Sequence, residues 1–148
     1  MPMFSQTTEY ALRAVVWLAA HGSEPQTTLQ IAAATHVPAG YLSKVLQALG
    51  RANLVSSQRG LYGGFTLTRG PDTISVLAVV NAVDPIQRIE TCPLGLKSHG
   101  KELCALHRRL DNAIAHIQKA FAESTIADLL AEPSTSHPLC EAEGSRGT

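Results

Sequence analysis

The stretch that decides the fold covers residues 27–69 and reads TTLQIAAATHVPAGYLSKVLQALGRANLVSSQRGLYGGFTLTR. It opens with Thr27 and, three residues later, Gln30, a hydroxyl and an amide spaced as in a capping box, which predicts the start of a short Ala-rich helix. That helix is expected to run to about His36, because Pro38 cannot continue it and suits the first turn of a second helix. The pattern therefore predicts two short helices joined by a tight turn.

The second helix combines an apolar stripe with a polar face. The stripe consists of Leu42, Val45, Leu46 and Leu49, which recur at the spacing of one buried helix face. The opposite face carries Tyr41, Ser43, Lys44, Gln47 and Arg51. These side chains can donate to phosphates and base edges, although the same pattern also fits an ordinary amphipathic helix with a solvated face.

A glycine-rich hairpin follows the two helices. Residues 54–59 and 65–69 are strand-like, and the turn between them has three glycines in five residues, so it can adopt positive φ and approach a phosphate backbone or a minor groove. Arg59 stands beside that turn. Two helices and a hairpin predict a winged helix-turn-helix, a mainly α fold with a small β-hairpin that binds double-stranded DNA. The candidate DNA contacts are Thr28, Tyr41, Ser43, Lys44, Gln47, Arg51, Arg59, Gly60, Tyr62 and Gly63.

The charge distribution supports a nucleic-acid partner although the formal net charge of the 148 residues is zero. Residues 1–70 hold five Lys or Arg and two acids, a balance of +3, so the remainder carries −3. No apolar run is long enough to span a bilayer and no signal peptide is recognisable, so we expect a cytoplasmic protein without a membrane partner. Motifs of the common enzyme classes are missing from the sequence, which predicts that the chain is not an enzyme.

At these residues the chain resembles the Rrf-two family of winged-helix regulators. The likeness covers about residues 3–130 and rests on residues 8–14 (TEYALRA), on Val37 and Pro38, on residues 41–42 and 44–46, and on the wing, residues 59–65 (RGLYGGF). The resemblance implies a dimeric DNA-binding transcriptional regulator, usually a repressor. It also implies a sensor for iron-sulfur status, redox state or nitric oxide.

Residues 92–107 (CPLGLKSHGKELCALH) are the second informative stretch, a loop followed by the start of a helix. Three cysteines in the chain, an odd number, argue against a disulfide framework and leave metal binding, redox chemistry or plain burial. In the family's sensors, three evenly spaced cysteines of this loop hold an iron-sulfur cluster. The resemblance matches Cys92 and Cys104 to the outer two, whereas Ser98 stands at the middle position, and serine is a poor iron ligand.

The resemblance therefore implies an iron-sulfur cluster, of the 2Fe-2S type, whose ligand set is completed by groups other than a third cysteine. The candidate metal ligands are Cys92, Cys104, His107, Glu9 and His99. Glu9 matches an acidic residue that ligates iron from the partner subunit in some family members, but it is also placed as a solvated carboxylate in the first turns of a helix. A zinc site, a thiol redox switch, a partner-controlled regulator without a cofactor, and free thiols remain alternatives.

A long helix is predicted after the loop. Its apolar residues, spaced close to a heptad seam, are Leu103, Leu106, Leu110, Ala113, Ile117 and Phe121. The seam fits a homodimer that reads a palindromic operator, and it also fits a core helix of a monomer. We predict a winged region at residues 1–72, a sensor loop with dimerisation helices at 73–132 and a disordered tail at 133–148 that includes Cys140.

Overall fold

The computed structural model describes residues 3–99 and 102–133, which form six α-helices and one antiparallel hairpin. The helices are α1 (Gln6–Ala20), α2 (Thr28–Thr35), α3 (Ala39–Arg51), α4 (Val76–Val83), α5 (Ala105–Glu123) and α6 (Ile126–Ala131), and the strands are β1 (Val55–Gln58) and β2 (Gly64–Leu67). Short 3-10 turns lie at Pro71–Thr73 and Lys97–His99. The predicted fold class, mainly α with a small β-hairpin, is confirmed.

Local signals set the ends of the first helices. The Ser5 side chain accepts a hydrogen bond from the Thr8 amide at the start of α1, and the chain leaves this helix through Gly22 at φ +59°. At the start of α2 the Thr27 hydroxyl accepts from the Gln30 amide, and the Gln30 side chain accepts from the Thr27 amide. The predicted capping box is therefore confirmed.

The turn between α2 and α3 differs slightly from the prediction. His36 adopts the left-handed conformation, with φ 55°, and ends α2. Pro38 is the N-cap of α3 rather than a residue of its first turn. Its ψ of 131° is extended, so helical geometry begins only at Ala39.

The core gathers around α1, which packs against α2, α3, α4 and α6. Four apolar residues of α1 and the four of the predicted α3 stripe are all buried, which confirms the α3 stripe. These residues are Ala11, Ala14, Val15, Leu18, Leu42, Val45, Leu46 and Leu49. Burial of this apolar surface is the main stabilising contribution to the winged region.

The C-terminal helices return to the same core. Ser75 caps α4, and the backbone around it pairs with the start of α6: Val76 N–H donates to Ser124 O at 2.8 Å and Ile126 N–H to Ile74 O at 2.9 Å. Ile126 is fully buried. One hydrophobic core thus contains residues from both sides of the proposed boundary between residues 72 and 73. The boundary itself stays a prediction.

Helix α5 is the longest element, and none of its 19 residues is fully buried. It begins at Ala105, so Leu103 lies ahead of it, and its remaining apolar residues divide between two environments. Leu106 and Leu110 are 62% and 48% exposed, whereas Phe121 packs on Phe4 with ring centroids 5.3 Å apart. Across the described ranges, no helix is both long and apolar enough to cross a membrane.

Candidate nucleic-acid interface and sensor loop

The polar face of α3 is open to solvent. All five polar residues predicted on this face, from Tyr41 to Arg51, are exposed, while the apolar stripe behind them is buried. Pro38 provides no side-chain cap, so the first amides of α3 are free to donate to a phosphate. The Ser43 hydroxyl donates to Ala39 O at 3.1 Å, so its lone pairs remain able to accept a hydrogen bond from DNA.

A chain of side chains connects α1 to α3. Arg13 donates to Glu9 at 3.1 Å and to the carbonyl oxygen of Thr35 at 3.2 Å, so it joins α1 to the end of α2. The same guanidinium lies 5.6 Å from the ring centre of Tyr10, which contacts Tyr41 edge to face with centroids 6.0 Å apart. The sequence reasoning overlooked this role of Arg13. The spacing of Glu9 and Arg13, one helical turn, was the available signal.

The wing is a tight turn between β1 and β2. Gly63 N–H donates to Gly60 O at 3.0 Å, and Gly60 has φ +112°. A Cβ at Gly63 would lie 2.4 Å from the Gln58 carbonyl oxygen, so only glycine fits there. The two central residues, Leu61 and Tyr62, are 91% and 87% exposed at the tip.

Gln26 fixes the base of the wing. Its backbone exchanges two hydrogen bonds with Phe65 of β2, at 3.0 and 2.7 Å, and forms a short third edge to the hairpin. The residue is only 6% exposed, and its side-chain oxygen accepts a hydrogen bond from the Trp17 indole N–H at 3.3 Å. Sequence reasoning missed Gln26, because its partners lie on α1 and β2 and no local pattern marks it.

The ten predicted DNA contacts occupy the start of α2, the polar face of α3 and the wing. Arg59, Gly60 and Tyr62 are exposed, and Thr28 and Gly63 are partly exposed. The structure thus brings them to three neighbouring elements of the winged helix-turn-helix. Their individual contacts with DNA stay predictions.

The loop predicted to be the sensor connects α4 to α5 and carries two free thiols. Cys92 and Cys104 are both partly exposed, and Cys104 is the N-cap residue of α5. Its Sγ lies 3.3 Å from Nδ1 of His107, so a thiol and an imidazole are already adjacent. Ser98 lies in the 3-10 turn between them in sequence.

The other predicted ligands do not join this pair within one chain. In residues 3–99 and 102–133, no group of three or more His, Cys, Asp and Glu side chains is close enough to hold a metal ion. Glu9 lies on α1, paired with Arg13, at the wall of an open cavity of about 550 Å³ that Phe4 and Tyr10 also line. The His99 side chain and Cys140 lie outside the described part of the molecule, as does the tail from residue 134.

Comparison with known proteins identifies the family. Residues 4–132 match the family model of Rrf2, described as an iron-dependent transcriptional regulator. The chain belongs to the Rrf2 family. An Rrf2-family relative, the HTH-type transcriptional regulator NsrR of Geobacillus kaustophilus, is 31% identical over 138 residues, covering 89% of this chain and 92% of that protein. An HTH-type transcriptional regulator of Aquifex aeolicus is 29% identical over 131 residues, covering 86% and 91%.

Two solved structures share the fold. CymR, the global cysteine regulator of B. subtilis, superposes with a TM-score of 0.74 at 24% identity and covers 90% of this chain and all of that one. IscR of T. potens superposes with a TM-score of 0.72 at 24% identity, covering 87% and 86%. The family model and the NsrR relative confirm the predicted family. The chain is a DNA-binding transcriptional regulator of the Rrf2 family, whose members are regulators rather than enzymes.

Proposed function

We propose that this Rrf2 regulator is a homodimeric repressor that senses iron-sulfur status, redox state or nitric oxide through a cluster on the loop from Cys92 to Cys104. The observation that carries the proposal is the contact between Cys104 Sγ and His107 Nδ1, 3.3 Å, at the start of α5. The match to a family described as iron-dependent and the NsrR relative support it.

The donor set present in one chain fits part of a cluster site. Thiolate is the preferred iron ligand, and imidazole replaces it in some clusters, so Cys92, Cys104 and His107 are suitable ligands. Ser98 is unsuitable, and one chain brings no third described donor to the Cys104 and His107 pair. Glu9 of a second subunit is the proposed remaining ligand, and a bound cluster would supply one-electron redox chemistry and reactivity toward nitric oxide.

Glu9 also offers a short route from the loop to DNA. It is paired with Arg13, which holds the Thr35 carbonyl and lies over Tyr10. A ligand that engages Glu9 competes with Arg13 for the carboxylate. Because Tyr10 contacts Tyr41 on the exposed face of α3, a change at Glu9 alters the support of the recognition helix.

The proposed dimer uses the N-terminal half of α5. Leu106 and Leu110 lie one turn apart on this helix and are the exposed large apolar residues of the described part of α5. Ile117 and Phe121, the later members of the predicted seam, face the chain's own Phe4 instead. The seam for a second copy is therefore shorter than the heptad pattern predicts.

A cofactor-free thiol switch is the second candidate. The partly exposed, free state of Cys92 and Cys104 favours it, together with Ser98 at the middle position of the loop. Disulfide formation would join the two sulfurs and remove two electrons to an oxidant such as peroxide. A zinc site on the same donors and control by a partner protein are the further alternatives.

Anaerobic reconstitution distinguishes these functions. The proposal predicts visible absorbance with stoichiometric iron and sulfide in the wild type, and their loss in Cys92→Ala, Cys104→Ala and His107→Ala. Glu9→Ala should destabilise the bound cluster, whereas Cys140→Ala serves as the matched cysteine control. A colourless, metal-free dimer whose DNA affinity follows thiol oxidation would instead support the thiol switch.

A further inference from the structure

An irregular segment, residues 85–90, runs along α5 and is tied down at several points; we refer to it as the strap. The Ile86 N–H donates to the Asn81 side-chain oxygen at 3.2 Å. The Ile86 carbonyl accepts from the Gln118 side chain on α5 at 3.0 Å. These bonds satisfy backbone groups that have no neighbouring strand or helix turn.

Asp111 on α5 makes the densest set of contacts with the strap. Its two carboxylate oxygens each accept from the Arg88 guanidinium at 2.7 Å, and one of them also accepts from the Ile89 amide at 2.9 Å. The Asp111 side chain is 13% exposed. A bidentate pair of this kind is directional, unlike the single 3.9 Å contact between exposed Lys119 and Glu123 further along the helix.

The role of the contact between Asp111 and the strap follows from its position relative to the two thiols. Cys92 follows Ile89 by three residues, and three extended residues span at most about 10 Å. Cys104 precedes Asp111 by seven residues along α5, a rise of about 10 Å. The stem from Ile89 is therefore just long enough to bring Cys92 to the end of α5 where Cys104 and His107 lie.

We infer that Asp111 is a positioning residue of the sensor loop: by holding Arg88 and Ile89 against α5, it keeps Cys92 within reach of Cys104. The inference rests on the proposed function for the meaning of the cysteine pair. None of the strap residues is a predicted DNA contact, and neither Arg88 nor Asp111 belongs to the hydrophobic core.

The expected size of the effect follows from tether length. Without the Asp111 contact, the nearest point at which the strap is held to α5 is Ile86, which Gln118 binds six residues ahead of Cys92. With the Asp111 contact, the nearest point is Ile89, three residues ahead of Cys92. Because effective concentration falls with roughly the 3/2 power of tether length, a twofold shorter tether raises the encounter rate of the two thiols by roughly threefold.

The test is the rate at which a short bifunctional thiol-alkylating reagent bridges Cys92 and Cys104 in the full-length, metal-free, reduced protein carrying Cys140→Ser. Asp111→Ala is expected to slow bridging roughly threefold. Asp111→Asn keeps an oxygen for the Ile89 amide and should restore part of the rate, which mere loss of helix stability would not produce. Arg88→Ala, a change at the surface, gives a second variant if Asp111→Ala folds poorly. Glu123→Ala is the matched control on the same helix.

If Cys92 and Cys104 are bridged in Asp111→Ala and Arg88→Ala at the parent rate, the inference is wrong. It is also wrong if Glu123→Ala slows bridging as much as Asp111→Ala does, or if the parent protein is not bridged at all. Iron content measured on the same proteins separates this inference from the proposed function. Asp111-dependent bridging in a protein that never takes up iron supports the positioning role and refutes the cluster. A full cluster with bridging that ignores Asp111 refutes the positioning role alone.

Discussion

Replacing Gly64 by alanine tests the attachment of the wing. Gly64 begins β2 with φ +149°, a conformation that residues with a side chain rarely adopt. A Cβ built there lies 2.6 Å from the carbonyl carbon and oxygen of Gln26 and 2.9 Å from its nitrogen. These are backbone atoms of a residue held by two hydrogen bonds to Phe65, so they cannot rotate away. The alanine must therefore displace either Gln26 or the wing.

The expected loss of stability in Gly64→Ala combines two costs. Overpacking against fixed atoms costs about 1 to 3 kcal/mol, and a non-glycine residue at this φ costs about 1 kcal/mol or more. We expect Gly64→Ala to lower the free energy of unfolding by about 2 to 4 kcal/mol. Gly60→Ala, at φ +112° with nothing within 4 Å of its added Cβ, isolates the conformational cost and should lose about 1 kcal/mol.

Urea denaturation followed by circular dichroism, together with gel-shift titration on the operator, measures both effects. Gly50→Ala is the matched control, because its Cβ meets only the Val55 carbonyl oxygen at 3.9 Å near the end of α3. That control should be neutral or more stable by about 0.5 to 1 kcal/mol. If the free energy of unfolding of Gly64→Ala lies within about 0.5 kcal/mol of the wild-type value, the loss is below the usual range for overpacking. The close approach of the wing to Gln26 is then wrong.

Further predictions concern operator binding, dimer formation and stability at low pH. Arg59→Ala should weaken operator binding by about 1 to 3 kcal/mol and relax sequence preference, and Arg51→Ala should mainly reduce the salt dependence; an unchanged gel-shift affinity for Arg59→Ala contradicts the wing assignment. Leu110→Glu should convert the proposed dimer to monomers in light scattering, whereas the exposed control Asn112→Glu should not, and a wild type that is monomeric at micromolar concentration removes the premise. The Arg88 hydrogen bond, helped by the Ile89 amide, lowers the pKa of Asp111 below its usual 3.8, so its stabilisation is fully present above that pH and is lost as the pH falls below it. Melting curves should therefore show a shallower loss of stability below about pH 4 for Asp111→Asn, and an acid slope equal to that of the wild type argues against the ion pair.

The secondary structure followed from local patterns. The capping box at Thr27, the Ser75 cap and the stripe from Leu42 to Leu49 each involve residues within two turns of one another, so sequence spacing reports them directly. The exposed face of α3 and the tight glycine turn of the wing were predictable for the same reason. These features fixed the fold class and the surface that carries the candidate DNA contacts.

Contacts between distant residues were not predictable in this way. Arg88 and Asp111 are 23 residues apart, and Gln26 and Phe65 are 39 residues apart, with two helices between them. The apolar period of α5 identified a stripe, but not that Phe121 would pack on Phe4 while Leu110 stayed exposed. A ligand set that uses a second subunit cannot be deduced from one chain, because spacing along the sequence carries no information about the partner.

The most direct test of the account is operator affinity measured anaerobically on the same preparation with its cluster bound and after the cluster is removed. The proposed route from the loop through Glu9 to α3 predicts a difference of roughly 5- to 150-fold between the two states, the range typical of coupling between two sites. Cys104→Ala should abolish that difference and Cys140→Ala should keep it. Equal affinities for the two states of the wild type would contradict the account.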